Sequence, residues 1–98
     1  METQSGPISA DYKVAGGKLL RVRLQVQSGA ITAINITGDF FMHPEEAIET
    51  LEQMLVGVDR EENAVRVAVQ AFFATDVQVV GADVDDFVHL ILSAGPNR

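Results

Sequence analysis

The sequence predicts an α+β fold, a three-stranded antiparallel sheet with one face covered by about three helices. Three observations predict it. Residues 18–27 alternate, with Leu20, Val22, Leu24 and Val26 on one side and Arg21, Arg23, Gln25 and Gln27 on the other. That period of two belongs to a strand with one buried and one wet face. Three later runs space apolar residues three and four apart, as helices burying a single stripe do. Finally, the strands come first and the helices after, which separates α+β from alternating α/β. With 98 residues the chain holds one core and not two. At 47% apolar and 21% charged residues it has enough to bury to fold rather than stay disordered.

Residues 1–9, with Gly6, Pro7 and Ser9, read as a flexible N-terminal arm, and residues 10–95 as the folded domain. A short strand is expected over 10–15 around Tyr12 and Val14, broken by Gly16-Gly17. The long strand 18–27 follows, then its partner 30–37 with Ile34 and Ile36 on the apolar side. A two-residue loop at Ser28-Gly29 pairs Gln27 with Ala30 and sets Arg23 opposite Ile34, mixing the faces. A three-residue loop pairs Val26 with Ala30, Val22 with Ile34 and Leu20 with Ile36. Because a one-residue slip turns every side chain over, the longer loop is expected, with Gly29 in the left-handed position of a G1 bulge.

Residues 38–42 then leave the sheet. A first helix is expected with His43 at its N-cap, Pro44 at N1, and Glu45 and Glu46 where the dipole favours anions. Ala47, Ile48, Leu51, Met54 and Leu55 form its stripe, and Gly57 stops it. Asp59-Arg60-Glu61-Glu62 has the spacing of a capping box and opens a second helix with the stripe Ala64, Val65, Ala68, Val69, Phe72 and Phe73. Residues 77–80 read as a short extended link. Asp83 caps a third helix with Asp86 at N3; Phe87, Leu90 and Ile91 are its buried side, and Gly95-Pro96 ends it.

Composition excludes several classes of function. Seven Lys and Arg against fourteen Asp and Glu give a net charge of −7, which argues against a nucleic-acid binder. Cysteine is absent, so disulfides, thiolate metal sites, a Cys nucleophile and persulfide or iron–sulfur carriage are excluded. No apolar run approaches a membrane span. The opening METQSGPIS has neither a basic flank nor an apolar core, so no signal peptide and no membrane partner are expected, and the chain is read as cytoplasmic. Charge is also uneven. Residues 1–38 carry four cations (Lys13, Lys18, Arg21, Arg23) against two anions, whereas residues 39–98 carry three cations against twelve anions. The acidic part is either a solvated helical surface, or the counterpart of a basic stripe that faces an acidic partner or a phosphate.

Reactive groups are sparse. His43 suits a helix cap and His89 a half-buried packing role. No HxH, HxxxH or HExxH spacing occurs, so no metal site is expected. Glu45, Glu46, Glu49 and Glu52 fall on the wet face of an amphipathic helix, without the pocket that acid–base catalysis needs. No catalytic residue is assigned. Two features remain. Gly16-Gly17-Lys18-Leu19 lets the backbone pass close to a neighbour and sets a Lys at a strand start, although it lacks the first Gly and the Ser or Thr of a phosphate loop. By parity Lys18 shares the side of Leu20 and Val22, so it belongs at the rim of the sheet, aimed at an edge or a cleft. Gly38-Asp39-Phe40-Phe41 sets two aromatic side chains on diverging directions. One of them must then be exposed, the mark of an interface more than of catalysis.

At these residues the chain resembles a known family. Lys13-Val14-Ala15-Gly16-Gly17-Lys18-Leu19-Leu20-Arg21-Val22, then Ile36-Thr37-Gly38-Asp39-Phe40-Phe41, then Pro44-Glu45-Glu46-Ala47-Ile48 and Asp83-Val84-Asp85-Asp86-Phe87 are similar to the small accessory, C-terminal domain of lipoate–protein ligases. The resemblance runs over roughly residues 11–93; Ala15 departs from it, standing where the family often has Pro. It implies a fold shared with sulfur-transfer scaffold proteins (the SufE/NifU-like fold). With Met first and no catalytic domain present, it also implies the separate small subunit of a bipartite ligase, with no activity alone. The partner implied is the large catalytic subunit, and indirectly the lipoyl-acceptor domains. The reaction implied is activation of lipoate by ATP and Mg²⁺ to lipoyl-AMP in the complex, with no cofactor bound by this chain alone. Gly16, Gly17, Lys18, Gly38, Asp39, Phe40 and Phe41 are the expected contacts to the partner or near its nucleotide, with Lys13, Arg21 and Arg23 as weaker candidates. The acidic helices are expected to point away from the phosphates. The alternative is a non-enzymatic protein-binding or regulatory module that works through the Phe40/Phe41 segment.

Overall fold

The computed structural model describes residues 7–14, 16 and 18–95. The elements run β1 (Ile8–Lys13), β2 (Leu19–Gln27), β3 (Ala30–Gly38), β4 (Phe41–His43), α1 (Ala47–Leu55), α2 (Glu62–Phe73), β5 (Gln78–Val80) and α3 (Val84–Ser93). The first three strands form an antiparallel sheet in the order β1-β2-β3, and β4 pairs with β5 in a second, two-stranded sheet. Leu20, Val22 and Leu24 of β2 and Ile31 and Ile36 of β3 are buried. They pack with Leu51 and Leu55 of α1, Val65, Val69 and Phe72 of α2, and Phe87, Leu90 and Ile91 of α3. The helices therefore cover one face of the three-stranded sheet, and Arg21, Arg23, Gln25 and Gln27 lie on the other, as their alternation requires. Arg60, in the segment before α2, holds the end of α3: its guanidinium donates to the carbonyls of Ile91 (2.9 Å) and Leu92 (3.1 Å), where a cation also suits the end of the helix dipole.

Several expectations are corrected. β1 begins at Ile8, inside the segment assigned to the arm, because Ser9 is held on both sides, by Arg23 of β2 and by a bridge to Gly95. The rest of the arm, residues 1–6, lies outside the described residues. The β2–β3 turn has two residues, not three. Gln27 pairs with Ala30, and Ser28 (φ 55°) and Gly29 (φ 85°) both take positive φ, the backbone a two-residue hairpin turn needs. The extra residue sits instead within β3. The register shifts between Gln25 and Val26, opposite Thr32, and from there Leu24 faces Ile34 and Val22 faces Ile36. The apolar faces do coincide, through a bulge in the strand rather than a longer loop. The bulge lets Ile31 bond outward as well, donating to Val58 and accepting from Gly57.

Two other pairings delay the first two helices. His43 is not an N-cap: it ends β4, opposite Gln78 of β5, and the His43–Pro44 peptide is cis. α1 starts after a turn in which Ala47 donates to Pro44, with Glu46 at the N-cap position. Asp59 is not the cap of α2. It bridges to Ala30, and Arg60 donates to Gly29, so residues 59–60 stay with the hairpin. Glu61 caps instead, accepting from the amides of Asn63 and Ala64. The segment read as an extended link supplies β5. The capping box of α3 is as expected, with Asp83 and Asp86 each accepting from the other's backbone amide.

Candidate functional site

Two backbone approaches build a cleft at one end of the molecule. In the β1–β2 turn the Val14 amide donates to the Lys18 carbonyl (2.7 Å), and Gly16 takes φ +99°. At the end of β3 the Asp39 amide donates to the Leu19 carbonyl (2.8 Å), which lays residues 38–39 against the start of β2. Only glycine permits this approach. Gly38 has φ +155°, and a Cβ there would lie 2.5 Å from the Leu19 carbonyl oxygen and 3.0 Å from the Leu20 Cα.

The two aromatic residues that follow diverge as expected. Phe40 turns inward, its ring edge-on to Phe87 at 5.7 Å, and Phe87 in turn meets Phe73 at 6.0 Å. Phe41 turns outward and is 63% exposed, and its cross-strand partner Val80 is exposed to the same degree. The small second sheet thus presents a pair of apolar side chains to solvent.

Gly16, Lys18, Gly38, Asp39, Phe40 and Phe41, expected from sequence to act together, line one open cleft of about 650 Å³ with Val80. Gly17 lies outside the described residues. Lys13, Arg21 and Arg23 are not in the cleft. They stand on the bare sheet face, where Arg21 donates to Asp11 (2.9 Å) and is held above its ordinary pKa by that bond and its charge. Lys18 and Gly16 also line a second hollow of about 380 Å³ with Val14, Gly81, Ala82, Asp83 and Asp86. The start of α3 thus brings two carboxylates to the rim that Lys18 occupies. Burial holds Asp86 above the usual carboxylate range, despite the bond it accepts from the Asp83 amide. Tyr12 is raised by desolvation first and by the nearby Asp86 carboxylate second.

Sequence reasoning missed Val80, Gly81 and the acidic end of α3 as parts of this site. The one local signal was the β-branched pair Val79-Val80 before Gly81, which marks a strand end. The histidines lie elsewhere. His43 is exposed on β4, and His89, expected half-buried, is exposed with its ring 4.4 Å from that of Tyr12. Glu52 is not simply on a wet face: its carboxylate accepts the Ile36 amide (2.8 Å) and so closes the edge of β3. Among the described residues no group of three or more His, Asp or Glu gathers as a metal site needs, and no helix is long and apolar enough to cross a membrane. What the cleft offers is one ammonium among carboxylates, two close backbone approaches and an apolar pair. These are means of contact, not a nucleophile with its base.

A family model described as the bacterial lipoate protein ligase C-terminus matches residues 7–91. Over 83 residues the chain is 35% identical to lipoate-protein ligase A subunit 2 of Thermoplasma acidophilum, with 85% of each chain covered. It also superposes on a chain from the structure of an archaeal lipoylation system, a bi-partite lipoate protein ligase and its E2 lipoyl domain from T. acidophilum. The TM-score is 0.79 at 32% identity, over 90% of this chain and 97% of that one. The fold, Gly16 and Lys18 beside the GDFF segment, and these likenesses agree: the chain belongs to the family of the bacterial lipoate protein ligase C-terminus.

Proposed function

We propose that this chain is the non-catalytic accessory subunit of a two-part, cytoplasmic lipoate–protein ligase. It is needed with a large catalytic subunit for the ATP-dependent activation of lipoate to lipoyl-AMP, ahead of lipoyl transfer to acceptor domains. The observation that carries this reading is the likeness, over most of both lengths, to a protein that is itself subunit 2 of such a ligase.

The site supports a contact role. Lys18 is flanked by Asp39 in one hollow and by Asp83 and Asp86 in the other, so the cleft has no net attraction for a triphosphate of its own. That favours a heterodimer in which the large subunit holds ATP, Mg²⁺ and lipoate, and this chain presents the Gly16–Lys18 turn and the Gly38–Phe41 segment to it near the nucleotide. Lys18 is the group of the cleft able to meet a phosphate there, and Phe41 is the apolar anchor. An acyl-adenylate is destroyed by water, so a small domain seated over the pocket both excludes solvent and orders the loops that surround it.

The test is lipoyl-AMP formation by the purified large subunit alone, with this chain added, and with Lys18→Ala. Activation is expected only when the chain is present, and reduced activation with the variant. Full activation by the large subunit alone refutes the accessory role, and unchanged activity of Lys18→Ala removes that residue from it. If the large subunit fails to capture the chain, the regulatory reading through Phe40 and Phe41 takes its place.

A further inference from the structure

The three-stranded sheet is bare on the side away from the helices, and that face differs in charge from the rest of the molecule. Exposed on it are Asp11 and Lys13 of β1, Arg21, Arg23 and Gln25 of β2, and Asn35 of β3, three cations against one anion. A wet face is ordinary for an antiparallel sheet; a basic one is not ordinary in a chain of net charge −7. Elsewhere Arg60 is engaged by the α3 carbonyls and Arg66 by Glu62 and Asp85. On the bare face Arg21 is engaged by Asp11, whereas among the described residues Lys13 and Arg23 form no ion pair. The helices lie on the opposite side of the sheet, and of their carboxylates Glu52 of α1 reaches the edge of this face at Asn35.

The face also has a receptor for an acid. Arg23, Leu24, Gln25, Ala33, Ile34 and Asn35 line a hollow of about 310 Å³ with Pro7. The Asn35 amide leans toward Glu52 of α1 (3.4 Å), which leaves the Arg23 guanidinium and the Gln25 amide as donors. A guanidinium takes a carboxylate through two parallel bonds. Area points the same way. The exposed tip at Phe41 and Val80 is far smaller than the roughly 800 Å² per partner of a stable interface. A nine-residue strand flanked by two others adds a surface roughly 30 Å by 15 Å. The two are contiguous, because Lys13 pairs with Leu19 directly beside the Lys18 turn.

We propose that the large subunit docks on the tip and along this bare sheet face, through an acidic surface that seats a carboxylate against Arg23. This rests on the subunit reading above and adds the face, the sign of the partner's charge and the anchoring residue. The experiment is calorimetric titration of the purified large subunit with the full chain and with Arg23→Glu, Arg23→Gln, Lys13→Glu and Phe41→Ala, at low and physiological salt. Thermal unfolding of each free variant checks its fold, and the neutral Arg23→Gln serves if the reversal unfolds. Arg23→Glu is expected to weaken binding roughly 10- to 100-fold and Lys13→Glu several-fold, both with a shallower salt dependence. If both Arg23 variants and Lys13→Glu bind as the unmodified chain does while Phe41→Ala binds more weakly, the sheet face is not used and the subunit reading stands. If the unmodified chain does not bind, the subunit reading fails and this inference with it.

Discussion

Replacing Gly38 with alanine places a methyl group where the backbone of β2 already stands. Two costs add. A non-glycine residue held at φ +155° costs about 1–3 kcal/mol in backbone strain. The new Cβ, 2.5 Å from the Leu19 carbonyl oxygen and 3.0 Å from the Leu20 Cα, meets rigid backbone on a strand buried at Leu20, and relieving such overpacking costs about 1–3 kcal/mol more. Gly57→Ala is the matched control: it sits at φ +91° with nothing within 4 Å, so it bears the first cost alone. For a domain of this size each kcal/mol lowers Tm by about 4–8 °C. Gly38→Ala should therefore melt about 10–50 °C below the unmodified chain, and Gly57→Ala about half as far. Circular dichroism melts read both. Hydrogen exchange at Asp39, whose amide donates to Leu19, should speed up in Gly38→Ala and not in Gly57→Ala. Melting of the two variants within about 3 °C of each other would refute the collision argument.

The two aromatic residues of the cleft separate in the same assay. Phe40→Ala, which loses its edge-on contact with Phe87, should cost about 2–3 kcal/mol. Phe41→Ala, at the exposed tip, should cost less than about 0.5 kcal/mol yet weaken capture by the large subunit in a pull-down. Glu52→Ala should cost about 1–2 kcal/mol and speed exchange of the Ile36 amide, whose acceptor it removes; Glu52→Gln, which keeps an acceptor, should recover most of the loss. Burial raises the Asp86 pKa, so folding favours its protonated form. Its contribution is then fully present below the unfolded carboxylate value and is lost as pH rises through the higher folded one. Carbon NMR should place the Asp86 midpoint above that of an exposed carboxylate, and Asp86→Asn should flatten this part of the dependence in melts between about pH 3 and pH 6.

Elements governed by rules of short range were legible from residue types. The alternation from Leu20 to Gln27 marked β2 and its buried face, the Asp83–Asp86 spacing marked the cap of α3, and adjacency alone required that Phe40 and Phe41 part. The candidate site was legible as two motifs, Gly16–Lys18 and Gly38–Phe41, before anything indicated that one hydrogen bond, Asp39 to Leu19, joins them. Less was legible where two solutions satisfied the same pattern. A longer loop and a bulge at Thr32 both align the apolar faces, and the bulge prevails in a structure where Ile31 also bonds outward to Gly57 and Val58.

The three strands of the main sheet ahead of the three helices, the side of each that faces the core, and the charge contrast between the β2 face and the helices all follow from the chain, because burial and capping act over a few residues. The pairing of Phe41 with Val80, the late start of α1 behind it, and the arrival of Asp83 and Asp86 beside Lys18 belong to the tertiary structure. Each joins segments far apart in sequence, and strands of three residues are too short to show a period of their own. Such contacts form because the completed core brings their backbones within reach.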